Sequence, residues 1–283
     1  MAVQDKDLQG RTIVVTGASN GIGAIGAARL AERGATVAVV GRDPERTARV
    51  AEGIGAAHFL ADYARLDDVR KLAGELLDRF PQIDVLINNA GGSWPDRAVT
   101  ADGNERTFQV NHLGGFLLTA LLLERLRQAP RARVVNTSSV TYRTAKLDLD
   151  TVNAPTGSFS MLGSYAGSKL ANIVFTRELS RRTGLVSAAF HPGAVATNVY
   201  DNIPFGVGAL IRSPLSRPFF IRPEKGAEPL VHLAATPDAA AIDGKYFHRF
   251  KEEPPSVKQA VDPVFAEQLW ELSERATGVT YQR

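Results

Sequence analysis

The segment from Thr12 to Gly23 reads TIVVTGASNGIG, and its pattern recurs along the rest of the chain. Residues 12–16 form an uninterrupted β-branched run, which is typical of a parallel strand buried on both faces. Glycines follow at once, and from Ile22 to Leu30 apolar and small residues recur at helical spacing up to Gly34, where a helix is expected to end. The segment therefore predicts a strand, a tight turn and a helix in immediate succession.

The alternation of strand and helix continues. Strands are expected at residues 36–40, 58–60, 83–87, 133–136, 186–190 and 244–247, and helices at residues 44–52, 67–80, 105–126 and 165–181. This order predicts an α/β fold with a doubly wound, Rossmann-like parallel sheet and helices on both faces. Residues 1–283 are interpreted as a single domain, with irregular insertions at about 140–164 and 198–225 where a ligand can bind.

The composition excludes several classes of protein. Of the 283 residues 44% are hydrophobic, and 33 basic against 30 acidic residues give a net charge of +3. That excess is too small to indicate nucleic-acid binding. Since the chain has no cysteine, disulfides, thiolate catalysis and iron–sulfur clusters are excluded. The five histidines are scattered without metal-ligand spacing, so no metal is expected.

No targeting or membrane segment is expected from the sequence. The first nine residues lack the basic and apolar regions of a signal peptide. The longest apolar run, from Leu113 to Leu123, is shorter than the ~20 residues that a membrane-spanning helix needs. We therefore expect no membrane span and a cytoplasmic location.

The glycine-rich turn between the first strand and helix is a candidate dinucleotide site. Gly17, Gly21 and Gly23 have no side chains, so backbone N–H groups there can approach a pyrophosphate at the positive end of the helix. A purely structural turn is the alternative. The position between strand and helix favours the dinucleotide.

The end of the second strand bears on the choice of cofactor. Folds of this kind use an acidic residue here for the ribose hydroxyls of NAD, or an arginine for the 2′-phosphate of NADP. Gly41 offers no carboxylate, whereas Arg42 can bind a phosphate through its planar guanidinium. Asp43 is either a ribose acceptor or, since Pro44 follows, a helix N-cap, which we favour. NADP is favoured, and NAD remains open.

Tyr165 and Lys169 are candidates for proton transfer. Four residues apart, they lie one above the other on a predicted helix. A nearby ammonium stabilises a phenolate, so the tyrosine can give or take a proton closer to neutral pH. Ser139, just past a buried strand, can donate a hydrogen bond to a substrate oxygen. Such a Tyr and Lys pair is also common on helix surfaces, which is the alternative.

Taken together, these residues resemble the short-chain dehydrogenase/reductase family. The resemblance covers roughly residues 10–280, and three segments, at residues 111–119 (NHLGGFLLT), 168–172 (SKLAN) and 269–273 (LWELS), look like its retinol-dehydrogenase-like branch. The matching pieces are the glycine loop from Thr16 to Gly23, Asp62, Asn88 to Gly91, Asn111, Asn136 to Ser139, Tyr165 with Lys169, and Pro192-Gly193 with Thr197.

The resemblance implies a role for each matching residue. Tyr165 would be the general acid and base, Lys169 would also hold the nicotinamide ribose, Ser139 rather than Ser138 would polarise the carbonyl, and Asn111 would anchor a water in a proton relay. Asn88 is expected to bond to strand backbone instead of ligand. Cofactor contacts are implied for Gly17, Ser19, Asn20, Gly21, Ile22, Gly23, Arg42, Asp62, Asn89, Gly91, Tyr165, Lys169, Val195 and Thr197.

This sequence departs from the family pattern in two places. The 25 residues between Ser139 and Tyr165 exceed the family's usual dozen, as they also do in the retinol-dehydrogenase-like branch. Asn20 stands where many NADP-dependent members have a basic residue. The second departure leaves the NADP preference open to test.

The insertions predict an apolar substrate. Trp94 is expected on one wall, and three arginines allow an anionic substituent on the substrate. The apolar residues are Phe159, Met161, Leu162, Ile203, Phe205, Leu210, Ile211, Phe219 and Phe220, and the arginines are Arg212, Arg217 and Arg222. Such surfaces favour a hydrophobic ketone, aldehyde or alcohol. Pro204, Gly206 and Gly208 predict that the second insertion is the most mobile part of the protein.

Two further expectations concern the whole molecule. The resemblance implies a homodimer or homotetramer, formed through the helices that carry Asn111 and Tyr165. A different class of function is also open, a catalytically retired dinucleotide-binding regulator. Such a protein would be free to lose Ser139, Tyr165 or Lys169, and all three are present.

Overall fold

The computed structural model describes residues 6–153, 159–193 and 221–281. In this part of the chain a sheet has the strand order β3-β2-β1-β4-β5-β6-β7-β8, parallel except for the antiparallel pair β7 and β8. The strands are β1 (Thr12–Val15), β2 (Thr36–Gly41), β3 (Ala57–Leu60), β4 (Val85–Asn88), β5 (Arg133–Thr137), β6 (Val186–His191), β7 (Lys245–His248) and β8 (Lys251–Glu252). The order reverses between β1 and β4, which creates a switch point at their carboxyl ends.

The helices lie on both faces of this sheet. They are α1 (Gly21–Glu32), α2 (Pro44–Gly53), α3 (Leu66–Arg79), α4 (Arg106–Phe108), α5 (Gly114–Arg127), α6 (Met161–Thr183), α7 (Pro223–Gly226), α8 (Glu228–Ala235) and α9 (Pro263–Thr277). A π-helical turn (Gln109–Leu113) joins α4 to α5. Helices α1, α2 and α8 pack on one face, and α3, α5 and α6 on the other.

The uninterrupted apolar strands are explained by these two layers. Strand side chains alternate between the faces of a sheet. Val14 belongs to the core beneath α3, α5 and α6, while Ile13 and Val15 belong to the core beneath α1, α2 and α8. A strand covered on both sides therefore needs apolar residues at consecutive positions, as β1 has at Ile13, Val14 and Val15.

The structure confirms the predicted fold class and moves some boundaries. The helix expected at residue 165 begins at Met161, because the Ser160 side chain caps it by accepting a hydrogen bond from the Gly163 N–H at 3.1 Å. The helix expected over residues 105–126 is interrupted by the π-helical turn. Helices α7, α8 and α9 and strand β8 were not predicted. Most of the insertion at 198–225 lies outside the described residues.

Helix α9 and the residues after it cover the outer side of α5 and α6. Trp270 lies 5.1 Å from the Phe116 ring and 6.0 Å from the Phe175 ring, measured between centroids. The Tyr281 hydroxyl donates a 2.8 Å hydrogen bond to the Phe116 carbonyl. A partner chain thus cannot pack directly on these two phenylalanines. Within the described residues, none of the helices has the length and apolar character needed to cross a bilayer.

Candidate active site

A cleft of about 690 Å³ lies at the carboxyl ends of the strands, at the switch point. The described residues that line it include almost all of the predicted site. They are Gly17, Ser19, Asn20, Gly21, Ile22, Gly23, Arg42, Asp62, Asn89, Gly91, Ser139, Tyr165 and Lys169. Val195 and Thr197, and the predicted substrate residues between 203 and 220, lie outside the described residues.

The glycine loop forms one wall of the cleft and packs tightly against the exit of β4. Gly17 has a φ of +63°, and a Cβ added to it would come within 2.7 Å of the Ala90 Cα atom. The Thr16 hydroxyl, at the end of β1, accepts hydrogen bonds from the N–H groups of Asn89 (2.9 Å) and Ala90 (3.0 Å). Glycine is required at position 17 because both the backbone conformation and the close approach exclude a side chain.

Asn89 ties the glycine loop to β5. Its Nδ2 atom donates to the carbonyls of Thr16 (3.0 Å) and Gly17 (3.2 Å), and its Oδ1 atom accepts from the Thr137 hydroxyl at 3.2 Å. The Asn89 amide therefore holds the loop in place from behind. Asn88 behaves differently from the expectation, because its buried amide donates to the side chains of Thr119 and Asn136 instead of strand backbone.

The amino end of α1 faces the cleft without a side-chain cap. Asn20 is the N-cap residue, yet its side chain makes no capping hydrogen bond, and the first turn carries no acidic residue. The free N–H groups of a helix amino end favour an anion. Gly23 keeps this end close to the loop, since a Cβ there would lie 2.6 Å from the Asn89 Nδ2 atom. These features fit the pyrophosphate of a dinucleotide.

The end of the cleft at Arg42 and Arg46, called the outer end below, is basic and exposed. Arg46 was not identified from the sequence. The Asp43 side chain accepts a 2.9 Å hydrogen bond from the Arg46 N–H, which confirms that it caps α2. At Gly41 a Cβ would clash with Thr47 and would lie 2.9 Å from the Ser19 Cβ atom, so an acidic residue there would require these side chains to move.

Asp62 and Gly91, two further residues expected to contact the cofactor, also line the cleft. The Asp62 carboxylate is oriented by the Ala64 N–H, which donates to it at 3.1 Å. Added to Gly91, a Cβ would lie 3.0 Å from the Asn111 Oδ1 atom and 3.3 Å from the Lys169 Nζ atom. The glycine therefore leaves room for Lys169. The end of the cleft at Tyr165 and Lys169 is called the inner end below.

Tyr165 and Lys169 lie together at this inner end, on α6. The Lys169 ammonium is 5.4 Å from the centre of the Tyr165 ring and donates to the Thr137 carbonyl at 3.2 Å. Lys169 is only 3% exposed, and burial lowers the pKa of its ammonium to about 8. Near neutral pH the ammonium is therefore still mostly charged, in a site from which water is largely excluded.

The two serines after β5 both line the cleft, but their hydroxyls have different partners. Ser138 is buried, and its hydroxyl donates to the Lys169 carbonyl at 2.8 Å. Ser139 is half-buried at the cleft, where its hydroxyl accepts a 3.3 Å hydrogen bond from the Thr141 N–H. Among the described residues no acceptor takes the Ser139 proton, whereas the Ser138 proton is used within the protein.

Asn111 lies behind the cleft, in the π-helical turn. Its Oδ1 atom accepts from the Gly92 N–H at 2.7 Å, and its Nδ2 atom donates to the Gly92 carbonyl and the Ser168 hydroxyl, both at 2.9 Å. The side chain is thus committed to the protein. Its main-chain carbonyl accepts a hydrogen bond from the Asn172 amide at 3.0 Å.

The apolar wall predicted from the sequence is partly present. Trp94, Met161 and Leu162 line the cleft, and the Arg106 guanidinium lies 4.9 Å from the centre of the Trp94 ring. Leu162 is 56% exposed at the entrance. Among the described residues, no group of three or more His, Cys, Asp or Glu side chains is placed to hold a metal ion.

The chain is similar to known proteins over most of its length. A family model described as short chain dehydrogenase matches residues 11–204. A protein of Streptomyces sp. (strain C5), named as a candidate daunorubicin C-13 ketoreductase, is 41% identical over 96% of this chain and 94% of its own length. Human retinol dehydrogenase 13 is 35% identical over 96% of this chain and 86% of its own length.

Solved structures show the same similarity. An uncharacterized protein from Mycobacterium paratuberculosis has a TM-score of 0.77 at 31% identity, covering 100% of this chain and 98% of that protein. A candidate short chain dehydrogenase from Escherichia coli CFT073, in complex with NADPH, has a TM-score of 0.68 at 25% identity, covering 87% of this chain and 100% of that protein.

Proposed function

The chain belongs to the short-chain dehydrogenase/reductase family, in its retinol-dehydrogenase-like branch, and from this premise we propose an NADP(H)-dependent enzyme that interconverts a hydrophobic ketone or aldehyde and its alcohol. As a member of this family the protein is an oxidoreductase. One observation carries the proposal. Tyr165, a buried Lys169 and Ser139 line the same cleft as the glycine loop.

The protein's own residues supply proton transfer and orientation. A bound nicotinamide cofactor supplies or accepts the hydride. In reduction the Tyr165 hydroxyl gives its proton to the carbonyl oxygen, and in oxidation the phenolate takes the proton from the alcohol. The charge of Lys169 stabilises that phenolate, and the ammonium also holds the nicotinamide ribose. Ser139 donates a hydrogen bond to the same oxygen and so stabilises the charge that develops on it.

The cofactor contacts follow the cleft from end to end. The glycine loop and Asn20, Ile22 and Gly23 hold the pyrophosphate, Asp62 meets the adenine, and Asn89 and Gly91 flank the riboses. Arg42 and Arg46 support NADP, because two exposed guanidinium groups suit the 2′-phosphate. The NADPH complex of the E. coli relative is consistent with that choice. NAD(H) is the alternative.

The apolar cleft wall supports a hydrophobic substrate. Trp94, Met161 and Leu162 offer rings and aliphatic groups and no charge. The names of the relatives, a daunorubicin ketoreductase and retinol dehydrogenases, refer to the reduction of a ketone and the oxidation of an alcohol. We propose small-molecule carbonyls or alcohols of this kind as substrates, a single catalytic unit over residues 1–283, and the cytoplasm as its location.

Loss of nicotinamide absorbance with a panel of lipophilic ketones and aldehydes tests this function. We expect Tyr165→Phe to lower kcat by about 1,000-fold, since only the proton donor is removed. Tyr142→Phe is the matched control, because the Tyr142 hydroxyl is buried against Ser256 and does not line the cleft. A Tyr165→Phe variant as active as the control would refute the mechanism. A folded wild-type protein that binds NADPH and reduces none of the panel would favour a retired regulator.

A further inference from the structure

Two segments that resemble the retinol-dehydrogenase-like branch have no role in the proposed chemistry, and they meet in the structure. The first contains His112, in the π-helical turn, and the second contains Ser273, on α9. The His112 Nε2 atom and the Ser273 hydroxyl are 2.9 Å apart, although 161 positions separate them in sequence. Both residues are buried.

From His112 a line of hydrogen bonds leads to the site. The His112 Nδ1 atom lies 3.2 Å from the Asn172 Oδ1 atom. The Asn172 Nδ2 group donates to the carbonyls of Asn111 (3.0 Å) and Thr137 (3.2 Å). The Thr137 carbonyl is also the acceptor for the Lys169 ammonium, at 3.2 Å. Only two side chains, His112 and Asn172, therefore stand between α9 and the acceptor that fixes Lys169.

The proton positions in this line can be assigned from the bonding pattern. Since both Asn172 N–H bonds go to carbonyls, its Oδ1 atom must accept, and the Nδ1 atom of His112 must donate. Burial lowers the pKa of His112 to about 4, so the ring is neutral and its Nε2 atom is a hydrogen-bond acceptor facing the Ser273 hydroxyl. The same hydroxyl also donates to the Leu269 carbonyl at 2.7 Å, so its one proton is shared between the two acceptors.

The surroundings of His112 would suit an apolar ring. The imidazole lies 5.1 Å from Phe108 and 6.0 Å from both Phe116 and Phe175, measured between ring centres. A buried polar ring costs free energy unless its nitrogens are bonded, and here both nitrogens have partners. Filling space therefore does not by itself account for a histidine at this position.

We propose that His112 is a positioning residue for Lys169, acting through Asn172, and that Ser273 of α9 fixes the histidine ring. The inference rests on the proposed function, in which Lys169 supports Tyr165 and the nicotinamide ribose. When the Asn172 amide is held, the carbonyls of Asn111 and Thr137 are held with it, and the ammonium keeps its place beneath the Tyr165 ring. Without this support the Lys169 ammonium shifts, because only the Thr137 carbonyl defines its position among the described acceptors.

Two substitutions of His112 separate positioning from packing. His112→Phe keeps an aromatic ring and removes both hydrogen bonds. His112→Asn is smaller, but its amide can place a donor where the Nδ1 atom stands. We expect His112→Phe to lower kcat about 30-fold and His112→Asn to recover it to within about threefold of wild type, since small displacements of a reacting group are costly. We also expect the midpoint of the kcat against pH profile to shift in the Phe variant and to return in the Asn variant.

Ser273→Ala tests the outer part of the line. It leaves the His112 Nε2 atom without a partner, and we expect kcat to fall about threefold to tenfold. Ser180→Ala is the matched control on α6, because its hydroxyl bonds to Asp243 at 2.9 Å and is not connected to Lys169. We expect this control to keep the wild-type kcat. If His112→Phe does not fold, the comparison of kcat between Ser273→Ala and Ser180→Ala decides whether the positioning role holds.

Calorimetric NADPH binding, measured on the same variants, keeps the two proposals distinguishable. We expect His112→Phe to weaken binding about tenfold, because Lys169 is displaced from the ribose. If kcat and affinity stay within twofold of wild type in His112→Phe, or Ser273→Ala matches Ser180→Ala, the positioning role is refuted. The same holds if both His112 variants lose activity equally with no change in pH profile. Full activity in Tyr165→Phe would refute the proposed mechanism instead.

Discussion

The two ends of the cleft differ in their contact with water. At the inner end Lys169 is 3% exposed, and a line of buried hydrogen bonds holds the acceptor for its ammonium. At the outer end the Arg46 side chain is 58% exposed and pairs with Asp43 only at 3.6 Å. The inner end therefore relies on fixed geometry in a site with little water, whereas the outer end offers mobile charge that water and salt screen.

The difference predicts how each end responds to substitution. A misplaced atom at the inner end or in the glycine loop has no freedom to adjust, so its effect is large and insensitive to salt. A lost charge at the outer end removes part of a screened attraction, so its effect is modest and falls with ionic strength.

The largest effect on cofactor affinity is expected in the glycine loop. Gly23→Ala places a methyl group 2.6 Å from the Asn89 Nδ2 atom and against the Gly17 carbonyl, neither of which can move freely. We expect NADPH affinity, measured by calorimetry, to fall by about 100-fold. Gly26→Ala is the matched control on α1, since its methyl group meets only the end of the flexible Leu230 side chain. Similar affinities in the two variants would show that the loop geometry is not what binds the cofactor.

A smaller effect is expected at the outer end. Arg42→Ala should raise the KM for NADPH about tenfold and leave the KM for NADH unchanged, because only NADPH carries the 2′-phosphate. The difference between wild type and variant should shrink as salt is raised from about 0.05 M to 0.5 M. Arg49→Ala, at an exposed position of α2 outside the cleft, is the control. Equal losses with both cofactors would contradict the assignment of Arg42.

The smallest effect concerns the cap of α2. Asp43→Ala removes the acceptor for the Arg46 N–H, and we expect the free energy of unfolding in denaturant to fall by about 1 kcal/mol. Asp43→Asn retains a capping oxygen and should lose much less. Neither variant should change NADH affinity by more than about twofold, since the carboxylate is used by the helix. A marked loss of NADH binding in Asp43→Ala would identify Asp43 as a ribose acceptor after all.

Much of the fold and the cofactor half of the site could be predicted because their signals are local. The strand β1, the glycine loop and the start of α1 lie within Thr12 to Gly23, and Tyr165 and Lys169 share one helix. In each case the spacing in sequence determines the spacing in space. Asp43 was assigned correctly as a cap for the same reason, since its bond reaches only to Arg46.

The remainder depends on contacts between distant parts of the chain. Ser273 meets His112 across 161 positions, and Tyr281 meets the Phe116 carbonyl across 165. No periodicity in either segment indicates its partner. The direction of Ser138, toward Lys169, likewise follows from the packing of α6 on β5. That Asn111 anchors a water stays a prediction, and the bonds of its side chain to Gly92 and Ser168 are visible only in the tertiary structure.

The π-helical turn at Gln109–Leu113 holds one residue more than an α-helical path would. Removing a residue there would rotate the rest of α5 by about 100° around its axis. Larger side chains would then replace Gly114 and Gly115 at their contacts. A Cβ at Gly114 would lie 2.5 Å from the Tyr63 ring, and Gly115 faces Asn88. The extra residue thus allows one continuous helical segment to direct the Asn111 amide toward Gly92, behind the cleft, and to pack bare glycine backbone against Tyr63 and Asn88.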